Sequence, residues 1–306
     1  MKALKGKPPK SFGFKDIIYE KSGYRATVTL NRPKVLNALN FSVLREMSAA
    51  FEDAAFDDDI AVVVVTGAGQ KAFCTGADIK EWNDEILDDP NDLYKWMAAF
   101  IEMHERLRNI GKVTVARLNG MVVGGGNELN LSCDLSVAAH DVVLRHVGTS
   151  RGSVPAAGAT QWLPIVVGER RAREMLLLGK SLTAAEAKEW GLVNFVVPRK
   201  KLDKEVDRVC EELYNKLPDC TRYTREQLNF WKNFSWSMTV GHLRDWLTVH
   251  TSAPEIQEGI KAFNERRSID YKMLRELSKA RAKKCPKCGK SCPPGNNYCG
   301  HCGRKM

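Results

Sequence analysis

Two strand patterns, each followed by a glycine-containing loop and a helix, constrain this chain most strongly. The first pattern is the β-branched run at residues 60–66, and the second lies at residues 113–118. Continuous apolar runs of this kind are typical of strands that are covered on both faces. Strands and helices alternate along the first half of the chain, which predicts an α/β fold with parallel strands.

The two loops place small residues where each strand gives way to a helix. The first loop reads AFCTGADIK from Ala72, and the second reads NGMVVGGGNEL from Asn119. Main-chain N–H groups at a helix start have no intrahelical acceptor, and small residues let a ligand approach them. Two such donors that converge on one oxygen form an oxyanion hole. Taken singly, each glycine turn is equally compatible with a packing role.

The remaining pattern is a hairpin near the N-terminus and a mostly helical second half. Ser22-Gly23 joins the two predicted strands of the hairpin. After Pro155, helical spacing predicts helices at residues 169–178, 184–190, 202–217, 221–234 and 240–250, with a short strand at 193–197. Pro254 begins one long charged helix that is predicted to run to about Lys284.

Composition narrows the class of protein. The 306 residues carry a net charge of +10, and no apolar run is long enough for a signal peptide or a membrane span. We therefore expect a cytoplasmic protein with no membrane partner. The positive charge suits a polyanion such as coenzyme A or nucleic acid. Nucleic acid is the less favoured partner, because aromatic residues do not interleave with the basic runs.

A cysteine cluster closes the chain. Cys285-x-x-Cys288 and Cys299-x-x-Cys302 are each followed by glycine. Four thiolates at this spacing predict a closed, tetrahedral and structural Zn²⁺ site. Cys292 and His301 are not needed as ligands. The short tail has almost no apolar core, so the metal is expected to supply its folding free energy.

Further segments in the same order make the chain resemble the crotonase, or enoyl-CoA hydratase/isomerase, superfamily. The two loops are similar to the signature loops of that superfamily. The segments that resemble the rest of it are LNRPKVLNALN, GSVPAAGATQWLPIVVG, GKSLTAAEAKEWGLVNFVVP and AFNERR. The resemblance implies a spiral of ββα turns at residues 1–200, a helical trimerisation region at 201–284 and the zinc ribbon at 285–306. It also implies a homotrimer or a dimer of trimers.

The resemblance implies an acyl-CoA thioester as substrate, with coenzyme A as its carrier. By motif position, the main-chain N–H groups of Ala77 and Gly125 would bind the thioester oxygen and stabilise an enolate. Gly76, Gly124 and Gly148 would border the substrate pocket.

Four residues fall where the superfamily contacts coenzyme A. Arg32 lies in the early loop, Lys80 and Arg266 match basic positions near the nucleotide, and Phe263 lies where an aromatic ring can meet adenine. A surface charge or a core aromatic is the competing interpretation for Lys80, Arg266 and Phe263.

The reacting side chains distinguish the members of the superfamily. Hydratases of the family carry two glutamates, and the first of these matches Glu128. The second position falls on Gly148, which departs from the hydratase pattern. Simple enoyl-CoA isomerases keep the second carboxylate and lose the first, so they fit less well. His146 is the nearest titratable residue in sequence and is a candidate replacement acid.

Glycine at this position, with Glu128 retained, resembles the 6-oxocyclohex-1-ene-1-carbonyl-CoA hydrolases, which open a ring. Dihydroxynaphthoyl-CoA synthases also carry the glycine but lack the glutamate. The nearest rival is an enoyl-CoA hydratase with a relocated acid. The alternative from a different class is a crotonase-fold binding protein that uses its basic surface and zinc tail to hold RNA or protein.

Overall fold

Ten strands of the first two hundred residues form two sheets at the centre of the fold. The computed structural model describes residues 3–251, 253–279, 282–292 and 297–306. In chain order the strands are β1 (Ile17–Ser22), β2 (Arg25–Leu30), β3 (Val62–Gly67), β4 (Ala72–Cys74), β5 (Val113–Leu118), β6 (Met121–Val123), β7 (Leu135–Ala139), β8 (Val143–Arg145), β9 (Leu182–Thr183) and β10 (Phe195–Val197). A separate hairpin in the tail pairs β11 (Lys283–Lys284) with β12 (Ser291–Cys292).

The order of strands in the two sheets creates a spiral. One sheet has the order β1-β2-β3-β5-β7-β10, and the other has the order β4-β6-β8-β9. The pairs β3–β4, β5–β6 and β7–β8 therefore each send one strand to each sheet. From β2 to β10 the neighbours in the larger sheet run parallel, as the continuous apolar runs predicted. The mixed α/β class expected from the sequence is confirmed.

Helices cover the sheets and form the second half of the chain. They are α1 (Phe41–Phe56), α2 (Ile79–Glu81), α3 (Pro90–Arg108), α4 (Gly125–Ser132), α5 (Ala159–Val167), α6 (Glu169–Leu178), α7 (Ala184–Glu189), α8 (Leu202–Tyr214), α9 (Pro218–Leu228), α10 (Phe230–Val249), α11 (Pro254–Asn264) and α12 (Tyr271–Lys279). A π-helical turn, Trp82–Ile86, follows α2 directly. No helix of the described residues is long and apolar enough to cross a membrane.

The core divides into one large cluster and one small cluster. The large cluster includes the buried strands and α1, and its largest enclosed side chains include Trp96, Trp162 and Phe51. The small cluster contains Cys285, Cys292 and Cys299 in the tail. The two clusters share no residue among those described, so each stabilises its own part of the chain.

Two helix predictions in the second half were wrong. The predicted break between residues 234 and 240 lies instead at Asn229, and α10 runs without interruption from there. The predicted single helix from Pro254 to about Lys284 ends at Asn264, and α12 begins only at Tyr271. The cause is a C-terminal turn in which the N–H of Arg267 donates to Ala262 O and the N–H of Arg266 donates to Phe263 O.

Candidate active site

The first loop leaves the N–H group of Ala77 without a main-chain acceptor among the described residues. Ala77 forms a parallel bridge with Leu39, in which the partners of Leu39 are Gly76 O at 2.8 Å and the N–H of Asp78 at 2.9 Å. Both bonds come from the residues that flank Ala77, so its own N–H faces the opposite side. Gly76 makes the turn possible, since its φ of +86° suits glycine.

The second loop presents the N–H group of Gly125 at the first position of α4. A helix start leaves its first N–H groups without intrahelical acceptors. Gly124 precedes it with φ +53° and ψ −118°, and its own N–H is bonded to Arg145 O at 3.0 Å. The loop is thus anchored at residue 124, while residue 125 keeps a free donor.

The two loops lie against each other. A side-chain carbon placed on Gly76 would be 3.0 Å from Gly125 N, and one placed on Gly126 would be 2.1 Å from Cys74 O. Phe100 and Leu39 border Gly125 from the core side, 3.3 Å and 3.5 Å from the equivalent position on Gly125. The loops that carry Ala77 and Gly125 are therefore in direct contact.

Glu128 lies one helical turn after Gly125 and is 3% exposed. Its Oε1 accepts a hydrogen bond from the N–H of Ala156 at 2.6 Å. Burial raises the pKa of the carboxyl group to about 8, although the Ala156 N–H acts in the opposite direction. A group that holds a proton near neutral pH suits general acid–base chemistry.

Gly148 lies against the segment that leads to Ala156, and His146 precedes Gly148 by two residues. A side-chain carbon on Gly148 would be 3.2 Å from Ser153 O and 3.3 Å from Pro155 N. The space expected at this glycine is therefore bounded by the main chain that leads to Ala156. His146 is 2% exposed, and its Nε2 has no partner among the described residues. Burial lowers its pKa to about 4, so the imidazole is neutral at pH 7.

Arg32 is committed to partners within the chain. Its Nη1 donates to Asp78 Oδ2 and to Ala38 O, each at 2.8 Å, and its Nε lies 3.6 Å from Asp16 Oδ1. Asp78 in turn accepts hydrogen bonds from the first N–H groups of α2. Arg32 therefore helps to fix the first loop through Nη1 and Nε, and its Nη2 has no partner among the described residues.

The other three residues expected near coenzyme A are exposed. Lys80 and Arg266 form no salt bridge with any described residue, and the Phe263 ring lies on the surface at 49% exposure. Arg266 has a φ of +53°, a left-handed conformation that is unfavourable for a residue with a side chain.

A cleft of about 510 Å³ lies between residues 83–88 and helices α11 and α12. Asp88, Glu258 and Glu265 line it, against Lys261. Glu258 and Glu265 both pair with Arg267, so Asp88 and Lys261 are the charged lining residues without a salt bridge to any described residue.

Comparison with known proteins gives the family. Residues 21–274 match the family described as enoyl-CoA hydratase/isomerase. The chain is 33% identical over 258 residues to YngF of Bacillus subtilis (strain 168), a protein named for an enoyl-CoA hydratase/isomerase, and the match covers 82% of this chain and 96% of YngF. The chain belongs to the enoyl-CoA hydratase/isomerase family. The crotonase resemblance stated from the sequence is thereby confirmed.

Solved structures of similar proteins agree with the fold of this crotonase. An enoyl-CoA hydratase from Mycobacterium avium subsp. paratuberculosis K-10 superposes with a TM-score of 0.76 at 28% identity, covering 84% of this chain and 98% of that one. An enoyl-CoA hydratase from Bacillus anthracis gives a TM-score of 0.68 at 30% identity, covering 84% and 99%.

Two buried asparagines that the sequence analysis did not single out hold the first crotonase loop in place. Asn37 Nδ2 donates to Ala68 O at 3.0 Å and to Ala72 O at 2.9 Å. Asn119 Nδ2 donates to Gly67 O and Gly69 O, each at 2.7 Å. Asparagine directly after a strand, as in Leu118-Asn119-Gly120, was the available signal. Ala156 gave none, because its contribution is a main-chain N–H.

The cysteine tail follows the part of the chain that matches the crotonase family. The Sγ atoms of Cys285, Cys288, Cys299 and Cys302 all lie within 4.8 Å of one another, and the pairs 285–302 and 288–299 are each 3.6 Å apart. These separations are too long for disulfides. They match the edges of a tetrahedron of thiolates about 2.3 Å from a central zinc ion. Gly289 and Gly303 supply the left-handed turns after each pair.

Proposed function

We propose that this crotonase binds an acyl-CoA thioester between the N–H groups of Ala77 and Gly125 and stabilises its enolate. The observation that carries the proposal is the contact between the two loops, in which Gly76 lies against Gly125 N, close to a buried carboxyl group, Glu128. Donors that are fixed before the reaction stabilise charge as it develops on the thioester oxygen. Loss of one such donor costs about 3–4 kcal/mol of transition-state stabilisation.

Glu128 would transfer the proton. Its raised pKa of about 8 supports a neutral carboxyl group that can protonate the α-carbon of an enolate. The enolate forms when water adds to the β-carbon, and the carboxylate that remains after Glu128 has protonated the α-carbon takes up the proton that the added water loses. A single buried carboxyl group can in this way perform both halves of an addition of water.

We infer that the substrate is a cyclic 6-oxo-enoyl-CoA and that the reaction opens its ring. Water would first add across the carbon–carbon double bond. A second water would attack the ring ketone, and the bond between the ketone carbon and the α-carbon would break. The electron pair would pass to the thioester enolate, and Glu128 would protonate the α-carbon. Gly148 supports this choice, since it removes the carboxylate with which family hydratases complete ordinary hydration.

A screen of acyl-CoA substrates, with products weighed by mass spectrometry, tests the reaction class. Ring opening adds two waters, hydration adds one, and isomerisation leaves the mass unchanged. Glu128→Gln should abolish turnover while acyl-CoA still binds. Full activity in that variant would refute the catalytic assignment, and turnover of linear enoyl-CoA alone would refute ring opening.

Hydration with a relocated acid is the second candidate, and the free Nε2 of buried His146 favours it. Because burial keeps this imidazole neutral at pH 7, it would act through its N–H group or through water. His146→Phe should then abolish hydration of a linear enoyl-CoA without loss of binding. The binding-protein alternative is not favoured, because Glu128 and both loops remain in place.

We propose that Cys285, Cys288, Cys299 and Cys302 bind one structural Zn²⁺, which would hold the tail in its folded form. The Sγ separations given above support the ligand set. Cys299→Ser should lower the zinc content of purified protein from one ion per chain to near zero. Cys292→Ser is the matched control and should keep the ion. Equal zinc loss in both variants would contradict this ligand set.

We also propose the three-part division at residues 200 and 284 and a homotrimer or a dimer of trimers. Exposed apolar side chains on α9 and α10 support the oligomer, because a surface of this kind is usually covered by a partner. They include Tyr223, Leu228, Phe230, Trp231, Phe234 and Met238. Light scattering that gives a monomer at micromolar concentration would refute the oligomer.

A further inference from the structure

Arg108, the last residue of α3, is a buried cation that the proposed chemistry does not use. The residue is 4% exposed, and neither Nε nor Nη1 has an acceptor among the described residues. A guanidinium group that leaves water without an acceptor loses several kcal/mol of solvation. Some group is therefore expected to meet these N–H donors.

Two indole rings compensate for only part of this cost. The guanidinium carbon lies 5.5 Å from the ring centroids of both Trp162 and Trp236, and those rings are stacked 4.8 Å apart. The ring faces attract a cation. The N–H bonds of a guanidinium point outward in its own plane, however, so they still need an acceptor.

The neighbouring cations already have acceptors of their own. Arg225 is 6% exposed, and it donates from Nε to Asp134 Oδ2 at 2.6 Å and from Nη2 to Arg108 O at 2.7 Å. Lys232 Nζ donates to Leu131 O at 3.0 Å and lies 5.8 Å from the Trp162 ring.

The cluster contains more positive than negative charge. Its carboxylates are Asp134, which pairs with Arg225, and Glu105, whose Oε1 accepts the indole N–H of Trp236 at 2.6 Å. Set against three cations, these two carboxylates leave one positive charge without a partner. That excess lies where the Arg108 donors are unpartnered.

We propose that the Arg108 cluster binds a small monovalent anion, of which chloride is the physiological example. One negative charge balances the cluster, and a halide accepts hydrogen bonds from any direction. Arg108 belongs to α3, Trp162 to α5 and Trp236 to α10, so the anion would join α10 to helices α3 and α5. A ligand that binds only the folded state stabilises that state in proportion to its saturation.

Crystals of the full chain grown in sodium bromide test the site directly. An anomalous peak within hydrogen-bonding distance of Arg108 Nε or Nη1 is expected. Density that shows a water at this position, with no anomalous signal, would overturn the proposal.

Thermal unfolding at constant ionic strength tests its energetic effect. Replacing sodium gluconate by sodium chloride should raise the Tm of the wild type by a few degrees, and the rise should saturate. Arg108→Met should abolish the rise, whereas Arg106→Met should keep it, because Arg106 pairs with Glu102 and Glu52 on the surface. An equal rise in both variants would overturn the proposal. If Arg108→Met fails to fold, the bromide crystals of the wild type decide.

Discussion

Burial of Glu128 lowers the stability of the folded protein, but it gives the carboxyl group a pKa that suits proton transfer. The unfolded chain releases its proton near pH 4.5, whereas the folded protein keeps it to about pH 8. Between these values folding takes up a proton, so the free energy of unfolding falls as pH rises. Each unit of pKa shift corresponds to about 1.4 kcal/mol.

We predict that Glu128→Gln stabilises the protein in a pH-dependent way. The glutamine oxygen can still accept the Ala156 N–H, but the side chain has no proton to lose. The gain in unfolding free energy over the wild type should be smallest near pH 4.5, grow through neutral pH and level off above pH 8. Urea unfolding from pH 5 to 9 measures it, with exposed Glu20→Gln as the control. A gain that is constant with pH would contradict the raised pKa.

Arg266 combines backbone strain with an exposed charge. We predict that Arg266→Gly raises the free energy of unfolding by about 1 kcal/mol, because glycine adopts a left-handed φ without the steric penalty. If the guanidinium contacts coenzyme A, KM should rise as well. Arg266→Ala separates the two effects, since it keeps the strain and removes the charge. An unchanged KM in both variants would remove Arg266 from the binding site.

Functional residues could be predicted from the sequence where a side chain or a motif indicates its role. Glu128 and the glycines of both loops could be recognised in this way, and the structure brings them together. The Ala156 N–H and the bonds of Asn37 could not, because they depend on chain segments that meet only in the folded molecule. The pairing of Arg32 with Asp16 and Asp78 could not be predicted either, because both carboxylates are distant in sequence.

At the level of elements, we expect the close contact between the two loops to set the distance between the two proposed donors. Gly76 is needed both for its positive φ and for its closeness to Gly125 N. Gly111 has a similar φ of +73°, but nothing lies within 4 Å of the position that its side chain would take. Substitutions at the two glycines therefore distinguish the effect of backbone strain from the effect of contact between the loops.

We predict that Gly76→Ala lowers kcat by at least about tenfold, because an added methyl group would push Gly125 away from Ala77. Gly111→Ala should lose about 1 kcal/mol of stability to the same backbone strain and keep its kcat. Steady-state kinetics and urea unfolding of both variants measure this. Equal kcat values in the two would show that the contact between the loops does not set the donor geometry.

Some helices and strands were predicted correctly from the sequence, and others were missed. The strands and α1 follow from apolar periodicity, which depends on neighbours in sequence. The end of α11 was missed because arginine occupies a left-handed position at which glycine is the usual signal. The second sheet was also missed, since β4, β6 and β8 have three residues each and too little pattern to detect.

At the scale of the whole molecule, the large core and the small core of the tail share no described residue, so we predict that the two parts unfold independently. A strong zinc chelator should remove amide protection from residues 282–292 and 297–306 and leave that of the spiral core unchanged. Hydrogen exchange with mass spectrometry measures both parts in one experiment. Turnover should persist, because the proposed oxyanion donors and Glu128 all lie within residues 76–156. Loss of protection in the strands of the larger sheet would contradict this independence.

Positive charge is concentrated at the C-terminal end of the chain. Residues 271–306 contain ten lysines and arginines and a single acidic residue, Glu276, so the preceding 270 residues are nearly neutral. Removal of residues 271–306 should shift the isoelectric point from about 9.1 toward neutrality. If zinc orders residues 285–306 as proposed, a protein without the ion should still turn over its substrate but lose the ordered form of part of this basic segment. Loss of zinc would then alter the contacts that this basic segment makes before it alters catalysis.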